Sequence, residues 1–402
     1  MNDYFKAVKI TDNLYWVGAI DWNITDFHGY ATKRGTTYNA FLIMAENITL
    51  IDTVKASFRD EMMARIASVI DPKEISVVIS NHSEMDHSGC LPYVVDTVKP
   101  DRVYASKMGQ KAITGHFHRD CAVTAVADGE VISLGDREIK CYETRMLHWP
   151  DSMISYLPDD GILFSQDAFG MHLASNERFA DELSANVVEY EAARYFANIL
   201  MPYSQLITRL LDRIPKLDFD LTMIAPDHGP IYRTEKDIRT IGERYAVWAG
   251  QKPALKAVVV YDTMWNSTDM MARSIADGLA YGGVRVKVMS LRAAHRSDVA
   301  TELLDAGALL VGSPTLNNTI FPTVADVMVY LKGLRPKNLI GAAFGSYGWG
   351  GEAVGQLEVL LDEMKVERVA ESIRIEYVPE ESDLVRCFEF GVSIAEKLKK
   401  MC

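Results

Sequence analysis

The run His82-Ser83-Glu84-Met85-Asp86-His87 places four metal-competent side chains within six residues, directly after the strand-like run Ser76–Ser80. In an extended loop His82, Glu84 and Asp86 project the same way, and His87 projects the other way, toward a second metal. Three more candidates follow, each at the end of a strand-like run: His148 in MLHWPDS, Asp167 in SQDAFG and His228 in APDHGP. Loops at strand ends are where a rigid scaffold commonly carries chemistry. Any one of these residues alone reads as a surface or hydrogen-bonded group. The cluster reads differently, because packed carboxylates repel one another unless a cation sits among them. Three carboxylates and four imidazoles with no thiolate suit iron or manganese, and leave zinc open. Glu84 adds a third anionic carboxylate, which favours a metal cycling between the 2+ and 3+ states.

A second constellation lies in the C-terminal part. After the apolar run AVVVY come Asp262-Thr263-Met264-Trp265-Asn266-Ser267-Thr268 and then a helical pattern. A strand, a hydroxyl-rich turn and a helix N-terminus make an anion cradle. The Gly-Lys-Ser/Thr of a nucleotide-triphosphate loop is absent, and a Ser-Thr helix cap explains part of the run. Two further loops follow apolar runs: Gly312-Ser313-Pro314-Thr315-Leu316-Asn317-Asn318 and Gly345-Ser346-Tyr347-Gly348-Trp349-Gly350-Gly351. Trp265, Tyr347 and Trp349 could stack on a flat ring, although any one of them alone reads as surface packing.

These residues need a scaffold. Residues 257–261, 284–290, 308–313 and 340–346 read as buried strands alternating with helices, a doubly wound parallel sheet. Met271, Ile275 and Leu279 form one apolar stripe on a helix over Asp269–Tyr281. The first 250 residues are richer in strands. Asn39–Met44 and Ile48–Val54 read as a hairpin around residues 45–47, and further strands are expected at 76–80, 103–105, 131–134, 139–144, 154–157, 162–165 and 222–225. Two sheets flanked by helices, an α/β sandwich, is the expected arrangement. Gly250 and Pro253 end a helical pattern, which places a linker near residues 249–255.

Composition narrows the function classes. The 402 residues hold 42 Lys+Arg against 55 Asp+Glu, a net charge of −13, with 48% hydrophobic residues. An acidic surface disfavours nucleic acid and anionic membrane surfaces as partners. Five cysteines (Cys90, Cys121, Cys141, Cys387 and Cys402) include no Cys-x-x-Cys pair, which argues against a disulfide framework or a thiolate-ligated cluster. The start MNDYFKAVKITDN has no signal-peptide pattern, and no run is apolar enough to span a membrane. The expectation is a reduced, cytoplasmic, soluble protein of two or three domains.

The His82-x-Glu84-x-Asp86-His87 run, with His148, Asp167 and His228, resembles the metallo-β-lactamase-like domain of flavodiiron proteins. Hydrolytic members of that superfamily usually carry His at the place of Glu84. NAFLI, MLHWPDSM and AFGSYGWGG extend the resemblance over essentially the whole chain, and it points to the rubredoxin:oxygen oxidoreductases of anaerobic bacteria. The resemblance implies an αββα sandwich over residues 1–250 and a flavodoxin-like FMN domain over 255–402. One iron would take His82, Glu84 and His148, the other Asp86, His87 and His228, with Asp167 bridging. The FMN phosphate would lie against Thr263, Met264, Trp265, Asn266, Ser267 and Thr268. The ring would lie near Pro314, Thr315, Leu316, Asn317 and Asn318, and near Ser346, Tyr347, Gly348, Trp349 and Gly350. Asn266 stands where flavodoxins carry Gly.

The implied activity is four-electron reduction of O2 to water, with reduction of NO to N2O as a second possibility. A head-to-tail homodimer, or a tetramer, would bring the FMN of one chain to the irons of another. A separate donor such as rubredoxin is implied, because no Cys-x-x-Cys module is present. His28 and Tyr195 could hydrogen-bond a bound oxygen species, and His172 could orient a ligand. Phe196 occupies a place where relatives often have Tyr. A zinc-dependent hydrolase with a flavodoxin-like passenger is the alternative, and Glu84 speaks against it. A pure FMN electron carrier is a third, and the complete ligand set speaks against that.

Overall fold

Residues 4–217 and 219–402 are described by a computed structural model, in two compact units. The first holds most of residues 4–246 and is built on two sheets. The larger sheet runs Val8–Lys9, Leu14–Trp16, Phe41–Ile43, Thr49–Ile51, Val77–Ser80, Arg102–Ser106 and Val123–Val126 in spatial order. The expected hairpin is present, with Phe41 opposite Ile51 and Ile43 opposite Thr49. The last four of these strands are parallel. The smaller sheet runs Glu130–Ser133, Glu138–Glu143, Met153–Leu157, Ile162–Gln166 and Met223–Pro226, and only its last pair is parallel.

Strand alternation decides which side chains meet. Phe41, Ile43, Ile51 and Ile79 face the smaller sheet and pack with Ile139, Met153, Leu157 and Phe164. Their neighbours Leu42, Leu50 and Val78 face the other way, onto Met62 and Ile66 of the helix Arg59–Ala67 and onto Val94 and Ile113. Both faces of the larger sheet are therefore buried, as its parallel part requires. Every proposed ligand sits in a connection leaving this scaffold, at the ends of Val77–Ser80, Ile162–Gln166 and Met223–Pro226 or in the loop before Met153–Leu157.

The helix Glu235–Gly250 ends where the sequence places a break, and the strand Ala254–Tyr261 begins after three intervening residues. The second unit takes Val247–Cys402 together with Gly29–Ala31 and Phe196–Ser204. Its sheet runs Arg285–Ser290, Ala254–Tyr261, Ala306–Gly312, Ile340–Tyr347 and, along the outer edge of the last, the short Glu367–Arg368 followed by Ile373–Glu376, all parallel. The two edge pieces count as one strand position. In chain order that is 2-1-3-4-5, the flavodoxin-type doubly wound arrangement. The connections from the first and third strands leave on opposite faces, and a crevice opens at the carboxyl ends between them. The fifth strand was not among the expected ones. On one face the helices Ser267–Tyr281 and Glu381–Met401 lie backbone to backbone, because Gly278 and Gly391 carry no Cβ to collide with the carbonyls of Phe388 and Ile275.

Candidate metal centre and cofactor cleft

The loop after Val77–Ser80 is extended only as far as Glu84. From Met85 to Ser88 the chain makes a helical turn, closed by His87 N–H and Ser88 N–H donating to the Glu84 carbonyl. Thr53 locks the turn by donating both its N–H and its hydroxyl to the carbonyl of His87. This corrects the expectation of a fully extended run. His82 and Glu84 do share one side, but Asp86 turns away from them and joins His87.

Two groups of donor atoms result. His82, Glu84, His148 and Asp167 form the first, and Asp86, His87 and His228 the second. His82 Nε2 and His148 Nε2 lie 3.3 and 3.1 Å from Glu84 Oε2, and 3.3 and 3.1 Å from Asp167 Oδ2. In the second group His228 Nε2 lies 3.1 Å from His87 Nε2 and 3.3 Å from Asp86 Oδ2. The other oxygen of Asp167, Oδ1, lies 3.5 Å from His87 Nε2 and 3.6 Å from His228 Nε2. One carboxylate thus turns an oxygen toward each group.

These separations test whether the residues suit metal ions. Donors about 2.1 Å from one ion are roughly 3.0 Å apart along an octahedral edge and roughly 3.4 Å along a tetrahedral one. The observed spacings fall in or near that range. Both oxygens of Asp86 and Oδ1 of Asp167 are buried and have no hydrogen-bond partner among the described residues. Buried carboxylate oxygens without donors are costly unless a cation satisfies them. The donor set fits two metal ions.

The surroundings fix the imidazoles. His82 Nδ1 lies 3.1 Å from Asp151 Oδ2, which also accepts Ser83 N–H and Ser83 Oγ–H, both at 2.6 Å. His228 Nδ1 donates to the Thr37 carbonyl at 2.6 Å. Each contact leaves Nε2 as the free lone pair facing the cluster. Burial opposes ionising Asp151, but the hydrogen bonds from His82 and Ser83 outweigh it and hold its carboxyl at about 2. Burial likewise disfavours charge on His148, yet hydrogen bonds to Asp167 and Glu84 push its pKa up to about 9.

His28 Nε2 is 2.8 Å from Glu84 Oε1, and the His28 side chain is 69% exposed. The Tyr195 hydroxyl is buried, and burial followed by the Asp167 charge raises its pKa well above the usual phenol value. His172 lies under His228, ring centroids 4.6 Å apart, with Nδ1 2.9 Å from Thr36 Oγ1. Burial and the neighbouring His228 keep it neutral. Phe196 is buried, packs on Trp248 and begins a π-helical turn, Phe196–Leu200. The outer partners Asp151 and Thr37 were missed from sequence. Asp151 lies in the same MLHWPDS run as His148, the one signal that could have found it.

In the second unit a cleft of about 490 Å³ opens at the carboxyl ends of the strands. Met264, Trp265, Ser267, Pro314, Thr315, Leu316, Asn317, Asn318, Ser346, Tyr347, Gly348, Trp349 and Gly350 line it, as do Tyr377 and Val378, which sequence reading did not name. Thr263, Asn266 and Thr268 are not among the lining residues; Thr263 and Thr268 are buried and Asn266 is exposed. Thr268 Oγ1 is bonded to Ser346 Oγ at 2.9 Å. Thr263 Oγ1 is buried with no partner among the described residues. Asn266 has φ +69°, a left-handed conformation that Gly and Asn tolerate best. Trp265 and Trp349 are 89% and 90% exposed at the rim. A helix N-terminus, an unsatisfied hydroxyl and two aromatic faces suit a phosphorylated flat ring.

A β-lactamase-type sandwich with a histidine–carboxylate centre, in one chain with a flavodoxin sheet and its cleft, defines a two-domain metal–flavin oxidoreductase class. Residues 36–229 match the ODP family beta lactamase profile and residues 259–391 the flavodoxin profile. The chain is 46% identical to a nitric oxide reductase of Moorella thermoacetica, over 98% of this chain and 99% of that protein. It is 43% identical to a rubredoxin-oxygen oxidoreductase of Megalodesulfovibrio gigas, over 98% of each chain. The solved rubredoxin oxygen:oxidoreductase of Desulfovibrio gigas superposes with a TM-score of 0.96 at 43% identity, covering 98% of this chain and 99% of that one. The flavodiiron protein of Giardia intestinalis superposes with a TM-score of 0.94 at 31% identity, covering 100% and 99%. The chain belongs to the flavodiiron proteins and is an oxidoreductase. Among the described residues no helix is long and apolar enough to cross a membrane.

Proposed function

We propose that the chain reduces O2 to water with four electrons, and NO to N2O as a second activity. FMN and a non-haem diiron centre would be its redox groups, supplied with electrons by a small external donor. The observation that supports this is Asp167, which turns one oxygen to each of two donor groups in a chain that also carries a flavodoxin cleft. Bound there, FMN would supply two electrons and the pair of irons two more, with adjacent sites for a diatomic substrate.

The chain's own residues hold and protonate. His82, Glu84 and His148 hold one ion, Asp86, His87 and His228 the other, and Asp167 contributes to both. Making water consumes protons as well as electrons. The exposed His28 ring holds a proton on Nε2 at the edge of the site, donated to Glu84 Oε1. Tyr195 keeps its hydroxyl proton at neutral pH and presents it beside Asp167. The cleft would seat FMN, the turn from Thr263 to Thr268 holding its phosphate and the Pro314–Asn318 and Ser346–Gly350 loops its ring. Residues 1–250 and 255–402 are the diiron and FMN domains.

Rubredoxin is the donor that the relatives' names suggest. The working unit is a head-to-tail homodimer in the cytoplasm. The hydrolase alternative gains nothing from the relatives, which are named as oxidases and reductases. Elemental and flavin analysis of the purified chain, followed by anaerobic turnover with reduced rubredoxin, tests the proposal. Two irons and one FMN per chain with O2 or NO consumption is the expected result. Two zincs with little iron would overturn it.

A further inference from the structure

The turn at Thr263–Thr268 contains no Lys or Arg, yet one cation reaches it from another connection. Arg292 follows the strand Arg285–Ser290, and its Nη2 donates to the carbonyl of Thr263 at 2.5 Å and to that of Met264 at 3.2 Å. In a trans peptide the C=O and the N–H of the next residue point in opposite directions. Two consecutive carbonyls turned toward Arg292 therefore turn the N–H groups of Met264 and Trp265 away from it. No acceptor among the described residues takes either N–H. Thr263 Oγ1 is likewise unsatisfied. The free N–H groups at the start of the helix Ser267–Tyr281 follow directly.

A buried carboxylate also lies next to this turn. Asp262 accepts from Thr263 N–H at 2.7 Å and from Thr323 Oγ–H at 2.5 Å. Left alone, it would repel an anion in the turn. Arg292 Nε sits 3.6 Å from Asp262 Oδ1 and offsets that charge.

We propose that Arg292 is the positioning residue of the FMN phosphate site: by clamping the carbonyls of Thr263 and Met264, it directs the donors of the turn toward a phosphomonoester. The inference rests on the FMN reading above. It explains how a turn without its own cation binds a dianion, through oriented backbone dipoles with the guanidinium behind them. It also assigns Arg292 to discrimination between flavins, because riboflavin carries the same ring and no phosphate.

The test uses the full chain depleted of flavin and titrated with FMN and with riboflavin, following flavin fluorescence. The Arg292 side chain is 56% exposed, so its removal spares the core. Arg292→Ala is expected to weaken FMN at least tenfold and to leave riboflavin affinity unchanged. Arg292→Lys restores the charge without the two-carbonyl clamp, and is expected to stay nearer to the alanine variant than to wild type. An equal loss for both flavins, no loss for FMN, or full rescue by lysine would each overturn the assignment. Failure of the wild-type chain to bind FMN would instead overturn the FMN reading itself.

Discussion

Asp151 is the residue whose loss separates a wired metal site from a loose one. Its Oδ2 collects His82 Nδ1 at 3.1 Å and the Ser83 N–H and hydroxyl at 2.6 Å. Asp151→Ala would leave three buried donors without an acceptor, at about 1–3 kcal/mol each before relaxation. Breaking a buried charged network costs about 3–5 kcal/mol in all, enough to confuse lost folding with lost metal. Asp151→Asn is the cleaner perturbation, because it keeps an acceptor oxygen and the shape while removing the charge that makes His82 a stronger ligand. Losing such an outer partner lowers metal affinity about 10–100-fold, or about 1.4–2.7 kcal/mol. The assay is iron per chain after anaerobic equilibration with graded chelator, with Tm and flavin content recorded alongside. Asp151→Asn should release iron at about 10–100-fold lower chelator than wild type, with flavin unchanged. Release identical to wild type, or release that only tracks a fall in Tm, would refute the role of Asp151 in holding His82.

Other substitutions and conditions have equally definite outcomes. Asp167→Ala removes an oxygen from both donor groups and should lose most of the iron while FMN stays bound, as elemental and flavin analysis of one sample will show. Asn266 sits at φ +69°, so Asn266→Ala should lower stability by about 1 kcal/mol and Asn266→Gly should not, measured by thermal unfolding. Burial raises the thiols of Cys90 and Cys141 from 9.0 to about 12. A thiol reagent at pH 8 should therefore modify the exposed Cys402 in the native chain and all five cysteines after unfolding. Unfolded thiols ionise first, so the stability these two residues contribute is full below pH 9 and is lost as pH rises toward 12.

Much of the scaffold was legible because its strands are buried apolar runs with sharp edges, such as residues 257–261 and 340–346. The short strands before residue 39 were not, since runs of two or three residues such as Val8–Lys9 carry too little periodicity to stand out. Ile373–Glu376 was missed because one half-buried strand of four residues reads as loop, and Tyr377 and Val378 were lost with it. The metal-competent residues were visible as types at strand ends. Their division into two groups came only with the family resemblance, because extended alternation by itself sets Asp86 beside His82 and Glu84. The helical turn at Met85–Ser88 is held by Thr53, which lies far away in sequence. Asp151 escaped for a similar reason: nothing in its neighbourhood says that its carboxylate meets His82 rather than solvent.

The two tryptophans at the rim of the flavodoxin cleft are almost wholly exposed, and this makes the chain its own gauge of cofactor loading. An indole in water emits at long wavelength, and a flavin within van der Waals reach drains that emission. The red part of the chain's ultraviolet fluorescence should brighten as flavin leaves and fade as it returns. The buried Trp16 and Trp248 contribute a blue background and the exposed Trp22 a red one that lies outside the cleft, and against them loading of the purified chain can be followed without labels.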